Sequence, residues 1–279
     1  MKKRTPAFVV TAMAVCATCL AGLPNETATI NPKGDAERLD VEGGRLVKLA
    51  VQELILHHLY RITYEEPRLA DPGEYVDITQ QVTGRPANSE QQRILWPRSR
   101  KMSVDLQPSR GIEFVLNQVV SAAEIVHPEM QFRVVSDGTM FHVIPADGSL
   151  LDTRISLPGK ERTLEEAVKA IAAALTSASH RSVNYGCCAY EMQPDEPRYP
   201  TIANDESARG VLQRLLESLA VNRGPATWII SYDKKFDHFT LLIMPMPEEP
   251  VYQIGEELPK PSPRRYDPAK DPSWVPPPK

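Results

Sequence analysis

The chain has 279 residues, 32 Lys and Arg against 36 Asp and Glu, and a net charge of −4. An acidic chain repels phosphate backbones, and no basic stripe with interleaved aromatics occurs, so nucleic acid is not expected as a partner. Of four cysteines, two lie near the N-terminus and two are adjacent at Cys187 and Cys188. That spacing offers no disulfide framework, and burial of apolar side chains must hold the fold.

Lys2, Lys3 and Arg4 open the chain, and an uncharged apolar run follows from Ala7 to about Leu20. The run is shorter than the ~20 residues a membrane span needs. Cys19 and Ala21 put small residues where a signal peptidase requires them. Residues 1–21 therefore read as a cleaved secretory signal, and the protein as exported, to the periplasm or outside the cell. A lipid-anchored start fits poorly, because Cys16 follows Val15 and Cys19 follows Thr18. No later run predicts a transmembrane segment. Loss of the three basic residues takes the net charge to −7.

Residues 22–35 are polar, lack a period and read as a linker. Strand-like runs and amphipathic helices then alternate. A run at 38–42 precedes a helix over about 45–59, with Leu46, Leu49, Ala50 and Leu54 as its apolar stripe, and a run at 60–64 follows. A run at 101–106 precedes a helix over about 111–126, with Ser109 as its cap. Strand 131–135 and the Asp137-Gly138 turn lead into Met140-Phe-His-Val-Ile144. Strand 153–157, a helix from Leu164 to about Ser177 and strand 181–185 come next, with Thr163 and Glu166 spaced as a capping box. Strand 199–203, a helix over about 207–220 capped by Asp205, and strands 227–232 and 238–243 complete the series.

This order repeats. Each half reads strand-helix-strand, loop, strand-helix-strand-strand, and each closing hairpin stops at a proline, Pro145 or Pro245. The fold class is α+β, as two duplicated modules of βαβ-βαββ type over 36–147 and 148–246. Residues 247–279 hold ten of the 26 prolines. Proline fixes φ and lacks an N–H, so this tail is read as extended and disordered.

Several segments resemble the secretin and TonB short N-terminal (STN-like) domain, as two diverged copies. Thr163-Leu-Glu-Glu-Ala-Val-Lys-Ala-Ile-Ala is similar to a helix of that domain. Ala208-Arg-Gly-Val-Leu-Gln-Arg-Leu-Leu-Glu with Trp228-Ile-Ile-Ser-Tyr-Asp233 is similar to its second helix and strand. Gly44-Arg-Leu-Val-Lys-Leu-Ala-Val-Gln-Glu-Leu with Ile62-Thr-Tyr-Glu-Glu-Pro67 is similar to its first. Ile62-Thr-Tyr-Glu-Glu-Pro-Arg68 also resembles a run in exported bacterial proteins. The resemblance implies a periplasmic adaptor that docks partners and carries no catalytic residues. No plug, barrel or secretin ring is read after the modules, which puts the carry-over of transport and secretion roles in doubt.

Nucleophile-elbow, phosphate-loop, dinucleotide and metalloprotease motifs are absent from the sequence. His57-His58 are neighbours that point apart on a helix, so they read as helix-end residues near the C-terminal dipole. Glu65 and Glu66, within Tyr64–Asp71, face opposite ways in an extended segment and read as part of a solvated acidic loop. Cys187-Cys188 reads as reduced thiols, as a strained vicinal disulfide, or as soft metal ligands without a His or Cys at ligand spacing beside them. Trp96 and Trp228 read as packing at element ends. No catalytic residue, cofactor or metal is assigned. The expected function is an exported, non-catalytic binding or adaptor protein of the cell envelope with a protein or peptide partner. The surface expected for that partner is an exposed sheet edge at Met140, Phe141, His142, Val143 and Ile144. The alternative is a thiol, redox or other enzyme using Cys187-Cys188.

Overall fold

The computed structural model describes residues 26–33, 36–68, 72–87, 89, 93–186 and 197–247. The segment read as a secretory signal, Cys187-Cys188 and the proline-rich residues 248–279 lie outside them. The described chain is mixed α/β, with several sheets and five helices.

The first half comprises β1 (Thr27–Lys33), β2 (Ala36–Gly43), α1 (Leu46–His58), β3 (Ile62–Glu65) and β4 (Tyr75–Asp77). It continues through α2 (Thr79–Thr83), β5 (Leu95–Pro97), β6 (Arg100–Leu106), α3 (Ile112–Val126), β7 (Phe132–Ser136) and β8 (Phe141–Pro145). The second half comprises β9 (Arg154–Arg162), α4 (Leu164–Ser179), β10 (Ser182–Tyr185), β11 (Tyr199–Ser207), α5 (Ala208–Arg223), β12 (Ala226–Asp233) and β13 (His238–Pro245).

The helices form where the apolar period places them. The Thr163–Glu166 capping box opens α4 in both directions: the Thr163 hydroxyl accepts from the Glu166 amide, and the Glu166 carboxylate accepts from the Thr163 amide. Two expected caps differ. Gly111, not Ser109, precedes α3, and no side chain caps it. Ser207, not Asp205, caps α5, its hydroxyl accepting from the Gly210 amide. The segment read as a linker contains β1, which pairs antiparallel with β2 along its whole length. The alternation in Thr27–Lys33 is interrupted by Asn31 and Pro32, and the pairing partner rather than local propensity makes it a strand.

A six-stranded sheet runs through both halves in the order β10-β13-β12-β3-β8-β7. Strands β1, β2 and β6 form a second sheet, and β9 with β11 a third. Within the large sheet the two halves pair alike. In the first, β3 is parallel to β8 and β8 antiparallel to β7; in the second, β10 is parallel to β13 and β13 antiparallel to β12. Corresponding pairs keep the same register. Ile62↔Phe141 answers Val183↔Phe239, Tyr64↔Val143 answers Tyr185↔Leu241, and Phe132↔Pro145 answers Trp228↔Ile243. Helices α1 and α4 both end at a left-handed residue, Leu59 and His180, each with φ of 55°. Counted back from there, buried Leu46, Val47, Ala50, Val51 and Leu54 fall on buried Ala167, Val168, Ile171, Ala172 and Leu175. At both hairpins an aspartate accepts from amides further along the turn, Asp137 from Thr139 and Met140, Asp233 from Lys235 and Phe236.

The halves meet where β12 lies parallel to β3, with Ile229 opposite Tyr64 and Ile230 opposite Glu65. Strand directions reverse across this seam while strand order repeats. The halves are thus related by a half-turn about a line across the strands plus a shift, which puts their helices on opposite faces. Alternation along β12 follows from this. Trp228, Ile230 and Tyr232 enter the core of the second half, and Ile229 between them enters the core of the first.

Candidate functional site

The densest buried polar chemistry gathers at this seam. Glu65 and Glu66 end β3 and follow it, and both are only 2% exposed. They are not a solvated loop, but they do face opposite ways. The Glu65 carboxylate accepts from the Ser149 hydroxyl at 2.5 Å and from the Leu150 amide, and Arg209 also donates to Ser149. Burial pushes the Glu65 pKa up, and these donors oppose the rise. Glu66 pairs with the Arg45 guanidinium at 3.1 Å and accepts from the Tyr232 amide at 2.9 Å. Its own amide donates to the Ile230 carbonyl. Arg45 also donates to the Tyr232 carbonyl, and Lys48 to the Ser231 hydroxyl. The Thr227 hydroxyl donates to the Ile62 carbonyl. The Glu65-Glu66 pair thus bolts the second half to the first from both faces of the sheet.

Beside it lies a hydroxyl–imidazole–carboxylate relay. His142 Nδ1 is 2.8 Å from the Thr63 hydroxyl, and His142 Nε2 is 2.8 Å from the Asp137 carboxylate. A carboxylate only accepts, so Nε2 carries the proton and Nδ1 accepts from Thr63. Burial pushes the His142 pKa down despite Asp137. Burial works against the charged form of Asp137, yet the Met140 and Thr139 amides and His142 outweigh it and hold that pKa well below the carboxylate range. Gln213 of α5 also donates to Asp137, and the His142 ring stacks on Trp228 at 5.7 Å. Trp228 lies within β12, not at an element end. The order hydroxyl, histidine, acid matches a nucleophile triad. Here Thr63 and His142 are each 1% exposed, so the hydroxyl is closed to a substrate. The arrangement orients groups across the seam.

A third cluster offers metal-ligand chemistry. Glu74, His127 and Glu129 each place one donor atom within 4.8 Å of the others. His127 is buried, and neither ring nitrogen makes a hydrogen bond of good geometry, though Nε2 is 3.2 Å from Glu74. Burial, then nearby Arg100, pushes its pKa down. One nitrogen and two carboxylates could hold a divalent cation with an open position. Arg100 already supplies positive charge there, its guanidinium 2.9 and 2.7 Å from the two Glu74 oxygens. The sequence hid this cluster, because Glu74 and His127 are 53 residues apart and carry no ligand spacing.

The paired histidines do end α1. His57 lies 3.0 Å from Glu53 and His58 lies 2.8 Å from Glu37. Trp96, at β5, donates to Glu26 and carries the Arg45 guanidinium over its ring at 4.8 Å.

Met140–Ile144 is not a sheet edge. Strand β8 pairs with β3 on one side and β7 on the other, and His142, Val143 and Ile144 are buried. The outermost strand on that side is β7. Sequence pattern could not separate the two hairpin strands, because Phe132-Arg-Val-Val135 and Phe141-His-Val-Ile144 carry the same order of apolar and polar residues. No protein-family model, no curated protein and no solved structure matches this chain.

Proposed function

We propose that this chain is an exported, non-catalytic binding protein of the bacterial cell envelope. In this reading its halves are diverged copies of one module, similar to the secretin and TonB short N-terminal domain. A protein or peptide partner adds along β7. The observation that carries the proposal is the state of that strand. Among the described residues β7 is hydrogen-bonded on one side only, and Arg133, Val135 and Ser136 are exposed. Its counterpart β12 shows how the outer side is used, since the Ile230 carbonyl accepts from Glu66 of β3's end. Val134 holds the equivalent position on β7 and turns the same backbone groups outward. An extended segment can satisfy them and read the alternating side chains. The sealed Thr63–His142–Asp137 relay and the buried Glu65-Glu66 pair support a non-catalytic role, because both serve the seam.

Val134→Pro removes one outward N–H and leaves the β8 pairing intact. Tagged wild type should retain an envelope partner that folded V134P loses. Equal recovery by both proteins would move the site away from β7. Substrate turnover by the purified protein without any partner would overturn the binding reading.

A further inference from the structure

Among the described residues, the two strands that would repeat the seam, β7 and β10, lie at the two ends of the large sheet. Strand β7 answers β12 in register, and β10 answers β3. A second chain whose second half follows β7 by the same half-turn and shift would set its β10 against β7, and the two whole chains would be related by a shift alone. The seam pairs Ile229↔Tyr64 and Ile230↔Glu65 would become Arg133 opposite Tyr185 and Val134 opposite Gly186. Such a contact joins different surfaces and does not close on itself, so it would build an open series of chains.

One side chain forbids it. Ile229 is 1% exposed and lies in the core of the neighbouring half. Its counterpart Arg133 is exposed. A second cation would arrive beside it. Lys48 of α1 lies on Ser231 at the seam, and Lys169 of the second chain's α4 would take the matching place above Val135, the counterpart of Ser231. Lys169 stays held by Glu165 and over the Tyr185 ring at 5.6 Å. Closing the contact would desolvate Arg133 and bring it near Lys169, with no carboxylate of β7 to pair either. An exposed charge that pairing with this copy would bury blunts the edge against it.

We propose that β7, with the β10 side of a second copy of this chain, forms a latent head-to-tail interface that repeats the pairing of the internal seam, and that Arg133 keeps it shut. This inference does not depend on the partner proposed above. Sedimentation of the purified protein over a range of concentrations tests it. Wild type and Arg133→Lys should stay monomeric. Arg133→Ile, with its circular dichroism unchanged, should form a concentration-dependent series that passes beyond the mass of two copies. Adding Val134→Pro should return it to a monomer by removing an outward amide of β7. Should R133I fold poorly, Arg133→Val serves in its place. A folded R133I or R133V that stays monomeric overturns the proposal. So does association that survives V134P, or a wild type that forms the same series. Loss of a partner by V134P alone speaks only to the binding function.

Discussion

Glu53 sits near the end of α1, with His57 at 3.0 Å and the Ile30 backbone as a hydrogen-bond partner. Burial pushes its pKa from 4.5 up to about 7. A carboxyl whose pKa is raised on folding favours the protonated form in the native state. Its contribution is neutral below pH 4.5, where both states are protonated, and turns unfavourable as pH rises towards 7. Glu53→Gln should therefore stabilise the protein at pH 8 by ~1–2 kcal/mol after allowance for solvent screening, and by almost nothing near pH 4. Urea unfolding at the two pH values checks this, and an equal effect at both would remove the titration as its cause. Single residues were the least legible scale. Glu65 and Glu66 look solvated in the sequence because their partners are remote, Ser149 at 84 residues and Tyr232 at 166. What the sequence did carry was their opposite orientation, which follows from the two-residue period of a strand.

At the scale of elements, helix period and capping carried most of the information. The apolar stripes of α1, α3, α4 and α5 are the buried faces, and the Thr163 box forms as spaced. Strand β1 was hidden because Asn31 and Pro32 break its alternation, and β4, β5 and α2 because three to five residues are too few to show a period. The helix ends hold a further consequence. His180 is exposed and sits at φ 55°, where a Cβ crowds the backbone. Replacing it with glycine should raise stability by ~0.5–1 kcal/mol, since a helix stop in this conformation favours glycine. A lower denaturation midpoint for His180→Gly would mean that the imidazole makes a contact worth more than the strain.

At the scale of the whole molecule, the mixture of helices and strands was visible in the sequence, but the way the halves join was not. No local pattern marks Ile229 as a residue of the other half's core, since its neighbours Trp228 and Ile230 are equally apolar. Met246 also enters the first core, and Met140 the second. Shared cores and a continuous sheet make the halves mutually dependent. Tryptophan fluorescence, to which Trp96 of the first half and Trp228 at the seam contribute, and far-UV circular dichroism should trace one coincident unfolding transition in urea. Two separated transitions would show that each half stands alone.

The parallel pairing of Ile229 with Tyr64 spans 165 positions of chain. A polypeptide emerging N-terminus first presents β3 long before β12 exists to cover it. During that interval the open edge of β3 faces the surroundings, and Glu65 and Glu66 lack the partners Ser149 and Tyr232 that arrive later in the chain. Contacts this distant in sequence are slow to form, and transiently open edges are where chains stick to one another. The moment of greatest aggregation risk is thus the last stage of synthesis, when the first half is complete and the second is still arriving.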